Sequence, residues 1–273
     1  MNKKTDISLS GAGIQIVHSA YVALMRQRAL GNLPDMGCAI RLCEIIKELI
    51  ISNSNKGKIG CLLDVGCATG HYLKTLQNKG IPIEKYIGLE IDARMIVAGK
   101  EVWEKEIEIG LVEFIQDDIE SQHPLSKSDL LICFNSFMYY KNAKNVLKKF
   151  LESANTIFIR SYFSDSNYRI LRGQSCENND SVDVSEVDIF DEFGGMLSGD
   201  FWTIYSFTYI EKILKEIEPR AKVTWIKDEN PPDSINAELA KGVSKRGGTQ
   251  IIGGYEISYP LLQPWEILKI TIE

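Results

Sequence analysis

Several protein classes are excluded by what the 273-residue chain has little of. Its three histidines, His18, His71 and His123, lie far apart with no HxH or HExxH spacing, so no metal site is readable and none is expected. The six cysteines (Cys38, Cys43, Cys61, Cys67, Cys133, Cys176) make no CxxC pair. Several fall inside apolar runs, where cysteine behaves as a small buried hydrophobe, and reduced thiols in a cytoplasmic protein are the expectation. No run of five or more basic residues occurs, and 31 Lys+Arg against 37 Asp+Glu leave a net charge of −6, which argues against a nucleic-acid partner. Met1-Asn2-Lys3-Lys4 faintly resembles the start of a signal peptide, but Asp6, Gln15 and His18 interrupt the apolar runs behind it. No later run reaches membrane-spanning length, so neither secretion nor a membrane partner is expected.

What is present suits one fairly large globular domain with additions: 44% hydrophobic, 25% charged and 9% aromatic residues. Residues 1–57 carry apolar side chains at helical intervals (Ile14, Ile16, Val17, Tyr21, Leu24, then Ile40, Leu42, Cys43, Ile46, Leu49, Ile50) around a break at Gly31-Asn32-Leu33-Pro34-Asp35. They are read as a helical cap ahead of a main domain over 58–273. From Ile59 on, strand patterns near 60–65, 86–91, 112–117, 129–134 and 156–162 alternate with helical patterns near 71–79, 92–107 and 141–152. A helix near 208–217 precedes two further strands, 222–226 and 267–272. The alternation predicts an α/β fold with a mostly parallel seven-stranded sheet and helices on both faces. Two stretches exceed a minimal sheet and are read as insertions, about 163–206 and 230–264. The first is acidic from Asp180 to Glu192 and ends in Phe201, Trp202, Tyr205 and Phe207. In the second, Ile251-Ile252 and Tyr255-Glu256-Ile257 flank Gly253-Gly254 like the arms of a hairpin.

The informative segment is Leu62-Leu63-Asp64-Val65-Gly66-Cys67-Ala68-Thr69-Gly70-His71-Tyr72: an apolar strand ending in an acid, a turn of small residues, then the start of a helix. Gly66 and Gly70 permit positive φ and a close approach of backbone to ligand. The spacing is G-x-A-x-G, not the G-x-G-x-x-G of a dinucleotide fingerprint, and the Lys-Ser/Thr pair of a phosphate-binding loop is missing. A nicotinamide oxidoreductase is thereby disfavoured. Cys67 reads as a small turn residue and not a nucleophile.

This turn resembles motif I of the class I S-adenosylmethionine-dependent methyltransferases, Asp/Glu-x-Gly-x-Gly-x-Gly, with Ala68 at the middle glycine. Ile87-Gly88-Leu89-Glu90-Ile91-Asp92 resembles that family's second strand ending. Val112-Glu113-Phe114-Ile115-Gln116-Asp117-Asp118 resembles its third, and Ser128-Asp129-Leu130-Leu131-Ile132-Cys133-Phe134-Asn135 its fourth. The resemblance spans roughly 58–162 and implies a Rossmann-like fold and S-adenosyl-L-methionine as cofactor. It further implies that Glu90, followed by Ile91, accepts the ribose hydroxyls, and that Asp118 and the backbone N–H of Ile119 meet the adenine, with Asp117 beside them. Asp64 and the backbone from Gly66 through Cys67 to Gly70 hold the amino-acid end, and Asn135 with Ser136 and Phe137 borders the sulfonium. The bland readings are a solvated strand-end acid at Glu90, a plain turn at Asp117-Asp118, and core or lid packing for Trp202, Tyr205 and Phe207.

Methyl transfer from a sulfonium is an in-line displacement that needs mainly alignment in a dry pocket. For a hydroxyl acceptor a base helps, and the candidates are His71, Tyr139, Tyr140 and Asp165, with a structural helix-terminal role for His71 as the alternative. The negative charge and the aromatic insertions point to a small or medium polar acceptor. Residues 64–73 with Trp202-Thr203-Ile204-Tyr205-Ser206 resemble bacterial methyltransferases that modify surface polysaccharide or nucleotide sugars. The expectation is therefore O-methylation of such an acceptor. An N- or C-methyltransferase, or a non-catalytic cofactor-binding subunit, is the alternative. Arg26, Arg28, Arg160, Arg169 and Arg172 could meet a phosphate or the cofactor carboxylate, but are read as solvated surface charges.

Overall fold

The computed structural model describes residues 19–52, 57–172, 200–228, 249–252, 255–258 and 261–272. Ile14, Ile16, Val17, Cys176, the acidic stretch 180–192 and the Gly253-Gly254 turn lie outside the described residues.

Two helices come first, α1 (Ser19–Leu30) and α2 (Gly37–Ser52), broken at Gly31, whose φ of 78° only glycine takes without strain. Then β1 (Ile59–Val65) runs into α3 (His71–Asn78), followed by β2 (Ile83–Glu90), α4 (Ala93–Val102), α5 (Glu104–Glu108), β3 (Val112–Gln116) and β4 (Leu130–Phe134). After a 3-10 turn over Phe137–Tyr139 come α6 (Ala143–Ser153) and β5 (Thr156–Ser164). The rest is β6 (Tyr168–Arg172), β7 (Asp200–Ser206), α7 (Phe207–Ile217), β8 (Ala221–Lys227), β9 (Thr249–Ile252), β10 (Tyr255–Ser258) and β11 (Leu261–Ile272).

The core sheet has the order β3-β2-β1-β4-β5-β11-β8. Its first five strands pair in parallel, and β11 is antiparallel to both β5 and β8. These are the seven strands the alternation predicts. β1 and β4 are central because both their faces are apolar: Leu62, Leu63 and Val65 are buried, as is every residue of β4. One face of the sheet packs on α2, α3 and α4 through Leu42, Ile46, Tyr72, Leu76 and Ile96. The other packs on α6 and α7 through Val146, Phe150, Ile210 and Leu214. α6 shows why a helix lies there: Ala143, Val146, Leu147 and Phe150 repeat at helical spacing, and the Asn142 side chain accepts from Asn145 N at 3.0 Å to start it.

The long stretches add strands. β6 and β7 pair antiparallel, and β7 continues the end of β5 through Phe163 and Tyr205. β9 and β10 pair Ile251 with Glu256 and Ile252 with Tyr255, as the hairpin pattern predicts, and β10 extends the start of β11. One expectation is corrected: the helix read over 92–107 is two helices, because Trp103 turns inward, is 3% exposed and donates its indole N–H to Thr69 O at 3.0 Å. No described helix is long and apolar enough to cross a membrane.

Candidate cofactor and acceptor site

The parallel strands end together, and the residues just beyond β1, β2, β3 and β4 form the site, the usual place for ligands in open α/β sheets. The turn from Gly66 to Gly70 is built on positive φ at Gly66 (77°), Ala68 (50°) and Gly70 (77°). Gly66 and Cys67 donate their N–H groups to Leu89 O at 2.8 and 3.1 Å, which ties the turn to the end of β2. Gly66 has no room for a side chain, since a Cβ there would stand 2.5 Å from Ser136 Oγ. Ser136 Oγ in turn donates to Val65 O at 3.0 Å, so the segment after β4 is locked against the turn. Gly70 is equally crowded, with Trp103 Nε1 at 2.9 Å from a built Cβ.

Glu90 closes one side. Its Oε2 accepts from Ala68 N at 2.9 Å, and its Oε1 from Ile91 N at 2.9 Å and Asp92 N at 3.0 Å. Burial pushes its carboxyl above the usual range, and these backbone N–H groups hold the rise in check. A carboxylate has about four lone-pair positions, so one remains for a hydroxyl donor. Asp64 has no exposed surface; its Oδ2 accepts from Tyr86 Oη at 2.7 Å, and Oδ1 has no hydrogen-bond partner among the described residues. Burial pushes its pKa up to about 7, against the opposing Tyr86 hydrogen bond, and Glu90 adds to the rise. Cys67 is also fully buried, its sulfur pressed toward Gly88, and burial holds the thiol well above its ordinary value.

Beyond β3, Asp117 accepts from Asp118 N at 2.8 Å, from Ser121 Oγ at 3.2 Å and pairs with His123 Nδ1 at 2.9 Å. Asp118 accepts from Glu120 N at 2.9 Å, so one of its oxygens is committed to the turn, and the Ile119 side chain is buried. Beyond β4, Asn135 adopts φ 65°, a left-handed conformation that asparagine tolerates. Its Nδ2 donates to Tyr72 Oη at 3.0 Å and lies 3.7 Å from Cys38 Sγ, while its Oδ1 accepts from Arg160 Nη1.

Among the base candidates, His71 is 7% exposed and neither ring nitrogen has a hydrogen-bond partner among the described residues. Burial, with the Arg28 guanidinium nearby, lowers its pKa to about 3. Tyr140 is buried against the α6 face, and burial raises its phenol well above the ordinary value. Tyr139 is only partly buried and packs with Met138, Tyr162, Ile204, Trp202 and Trp265.

One expectation changes, and the packing reading of the insertion aromatics is refined. Arg160 is not a solvated charge: it is 3% exposed and bonded to Asp228 and Asn135. The aromatics of the first insertion divide, since Tyr205 donates to Tyr140 O at 2.9 Å and Phe207 packs on Trp225 at 4.7 Å, both as core, whereas Trp202 approaches Tyr162 at 6.2 Å near the sheet's carboxyl end. Arg26 pairs with Glu101, Arg28 donates to Pro34 O, and the side chains of Arg169 and Arg172 lie outside the described residues. No sequence pattern signalled the roles of Trp103, Tyr86, Tyr72 or Asp228, because each acts through a partner distant in the chain.

α1 lies across α3 and α4, above the turn. Thr69 Oγ1 donates to Met25 O at 2.8 Å, and Met25 packs on Ala68 and Met95. The surrounding protein raises the Tyr21 phenol, with the Glu90 carboxylate adding to the rise.

Residues 63–155 match the family model of a methyltransferase domain. No curated protein matches the chain. A solved S-adenosylmethionine-dependent methyltransferase from Clostridium acetobutylicum is 14% identical, with a TM-score of 0.53 over 92% of this chain and 97% of that one. The O-methyltransferase of a polyketide synthase multienzyme from Brevibacillus brevis, solved with S-adenosyl-L-homocysteine, is 10% identical, with a TM-score of 0.51 over 83% and 71%. A 4+2 cyclase is also similar in fold, at 13% identity and a TM-score of 0.50 over 85% and 80%. The fold by itself therefore houses more than one chemistry, and the assignment rests on the matched domain. Residues 63–155 are thus similar to a methyltransferase domain, and the chain shares the fold of solved S-adenosylmethionine-dependent methyltransferases. The part of the chain that carries the matched domain is also the part that forms the glycine turn, Glu90, Asp118 and Asn135.

Proposed function

We propose that the enzyme methylates a hydroxyl of a small polar acceptor, such as a sugar or nucleotide sugar, which enters over the ends of β4 and β5. The observation that supports this reading is the aromatic wall formed by Tyr139, Tyr162, Trp202 and Trp265, which gather at the carboxyl end of β5 and near the starts of β7 and β11. Aromatic faces bury the apolar faces of a sugar ring while polar tips meet its hydroxyls.

S-adenosyl-L-methionine, when bound, supplies an electrophilic methyl group on a sulfonium. The chain fits it at a specific place: Glu90 keeps a lone-pair position for the ribose beside backbone that admits no side chain at Gly66. Asp118 and Ile119 N–H serve the adenine, with Asp117 bracing their turn. The N–H groups of Gly66, Cys67, Ala68 and Gly70 are taken within the protein, so the turn meets the amino-acid end through its remaining backbone groups and its lack of side-chain bulk, and Asp64, sealed against Tyr86, supports it from within β1. Asn135 and Ser136 border the reacting centre. A charge is lost in the transfer, so alignment and exclusion of water carry most of the rate.

Of the four proton-accepting candidates, His71 and Tyr140 are buried and Asp165 is exposed, whereas Tyr139 is partly buried within the aromatic cluster. His71, with its pKa near 3, is a weak base, and its two unpartnered nitrogens suit a hydrogen bond to the cofactor's amino-acid end. Incubation with S-adenosyl-L-methionine and a panel of sugars, nucleotide sugars, phenols and amines, read by product mass, tests the reading. Methylated sugar or nucleotide sugar is expected; methylation confined to the amines refutes it.

A further inference from the structure

Arg160 sits in β5, in register with Phe134 of β4 and Ile267 of β11, with 4% of its side chain exposed. Its Nε and Nη2 both donate to Asp228 Oδ2, at 2.6 and 2.5 Å, and the Asp228 side chain has no exposed surface. Its guanidinium carbon lies 3.8 Å from the centre of the Trp265 ring, and Tyr162 packs on that ring at 3.9 Å. The third nitrogen, Nη1, donates to Asn135 Oδ1. Burying an ion pair rarely adds net stability, because taking both charges out of water costs about as much as their attraction returns. This pair thus needs another reason, and the contact of Arg160 with Asn135 lies at the rim of the cofactor cleft.

A guanidinium can only donate. Held in place by Asp228 and Trp265, it forces the amide oxygen of Asn135 toward itself, and the amide NH2 must then face Tyr72 and Cys38. Tyr72 Oη accepts that proton at 3.0 Å and keeps its own for Cys38 Sγ, 3.4 Å away, or for a ligand. Without Arg160 the two ends of the amide are nearly equivalent in shape, and the network has no fixed direction.

We propose that Arg160 is a positioning residue: clamped by Asp228 and Trp265, it fixes which way the Asn135 amide points, and through it the Tyr72 hydroxyl, beside the cofactor's methionine end. This rests on the cofactor reading given above.

The test is calorimetric binding of S-adenosyl-L-homocysteine to the full-length chain, with melting measured on each variant. Arg160→Met with Asp228→Leu removes both charges together, the change that most often leaves a fold intact. That pair and Asn135→Ala should each weaken binding about three- to tenfold, the worth of one neutral hydrogen bond. Combining all three changes should weaken it no further than Asn135→Ala alone, since coupled residues fail to add. Unchanged affinity in the pair variant, or losses that multiply in the combination, would overturn the proposal in favour of a purely structural pair. Should the pair variant not fold, Arg160→Lys replaces it, since one ammonium keeps a cation for Asp228 but cannot span to Asn135, and the same outcomes decide. Glu90→Ala is run alongside: a loss there with none in the Arg160 variants sinks this inference alone, whereas no loss at Glu90 strikes the cofactor reading beneath it.

Discussion

Glu90 and Asp64 are both carboxyls that burial pushes upward, yet their partners give them different duties. Three backbone N–H groups hold Glu90 at the mouth of the cleft. Glu90→Ala is expected to weaken S-adenosyl-L-homocysteine binding by about 1.5–3 kcal/mol, the scale of a hydrogen bond to a charged group, with calorimetry as the measure. Asp64 faces only Tyr86, and its pKa of about 7 lies above its ordinary 3.8, so folding favours the protonated form. Its contribution to stability is whole below 3.8 and drains as pH rises toward 7. Asp64→Asn should therefore gain on the parent protein as denaturant midpoints are followed from acid to neutral pH; parallel curves would show that the carboxyl is ionised when folded. His71 carries the opposite sign. Its folded pKa of about 3 lies below 6.5, so the stability it lends is complete above 6.5 and drains as pH falls. His71→Gln should flatten that acid limb, and should lower kcat less than about tenfold if His71 only positions the ligand, since general-base catalysis contributes more.

The glycine turn is the element on which the site depends, and its conformation explains both its agreement with the family pattern and its departure from it. Three residues with positive φ reverse the chain between β1 and α3, and at two of them the neighbours leave no space for a Cβ. Gly66→Ala combines left-handed strain of about 1–2 kcal/mol with a collision at Ser136, so it should lower stability by at least that amount and abolish measurable cofactor binding. Ala68 is different. Its φ of 50° carries strain, but its methyl is 9% exposed and packs on Met25 and Met95. Relief of strain and loss of packing oppose each other in Ala68→Gly, so chemical denaturation should show a change of under about 1 kcal/mol. The spacing of small residues made this turn legible from sequence, because only small residues fit there. The break between α4 and α5 was not legible: Trp103 continues the apolar period of a helix, and only the carbonyl of Thr69, 34 positions earlier, draws it inward.

Across the whole molecule, sequence and structure agree wherever a residue's neighbours in space are also its neighbours in the chain. The parallel strands announce themselves as short apolar runs buried on both faces, and the hairpin of β9 and β10 as two runs around a glycine pair. Arg160 shows the limit, since a charge in β5 is buried or solvated according to what β8 and β11 place beside it, and Asp228 stands 68 residues away. The N-terminal helices show it again. Helical spacing foretold α1, but nothing in it revealed that α1 would lie over the turn. Beside the packing of Met25 on Ala68 and Met95, a buried hydrogen bond ties them, from Thr69 Oγ1 inside the turn to Met25 O of α1. A helix of 12 residues is marginal alone, so α1 depends on such contacts for its order. Thr69→Val keeps the shape of the side chain and removes the donor; Met25 O keeps its place in the helix ladder of α1, so the cost is that of one hydrogen bond, about 0.5–1.5 kcal/mol. If α1 covers the bound cofactor, amide exchange along α1 should quicken in this variant while β1 and β4 stay protected, and S-adenosyl-L-homocysteine should dissociate faster. Faster exchange in α1 with an unchanged dissociation rate would instead make α1 a brace for the turn and not its cover.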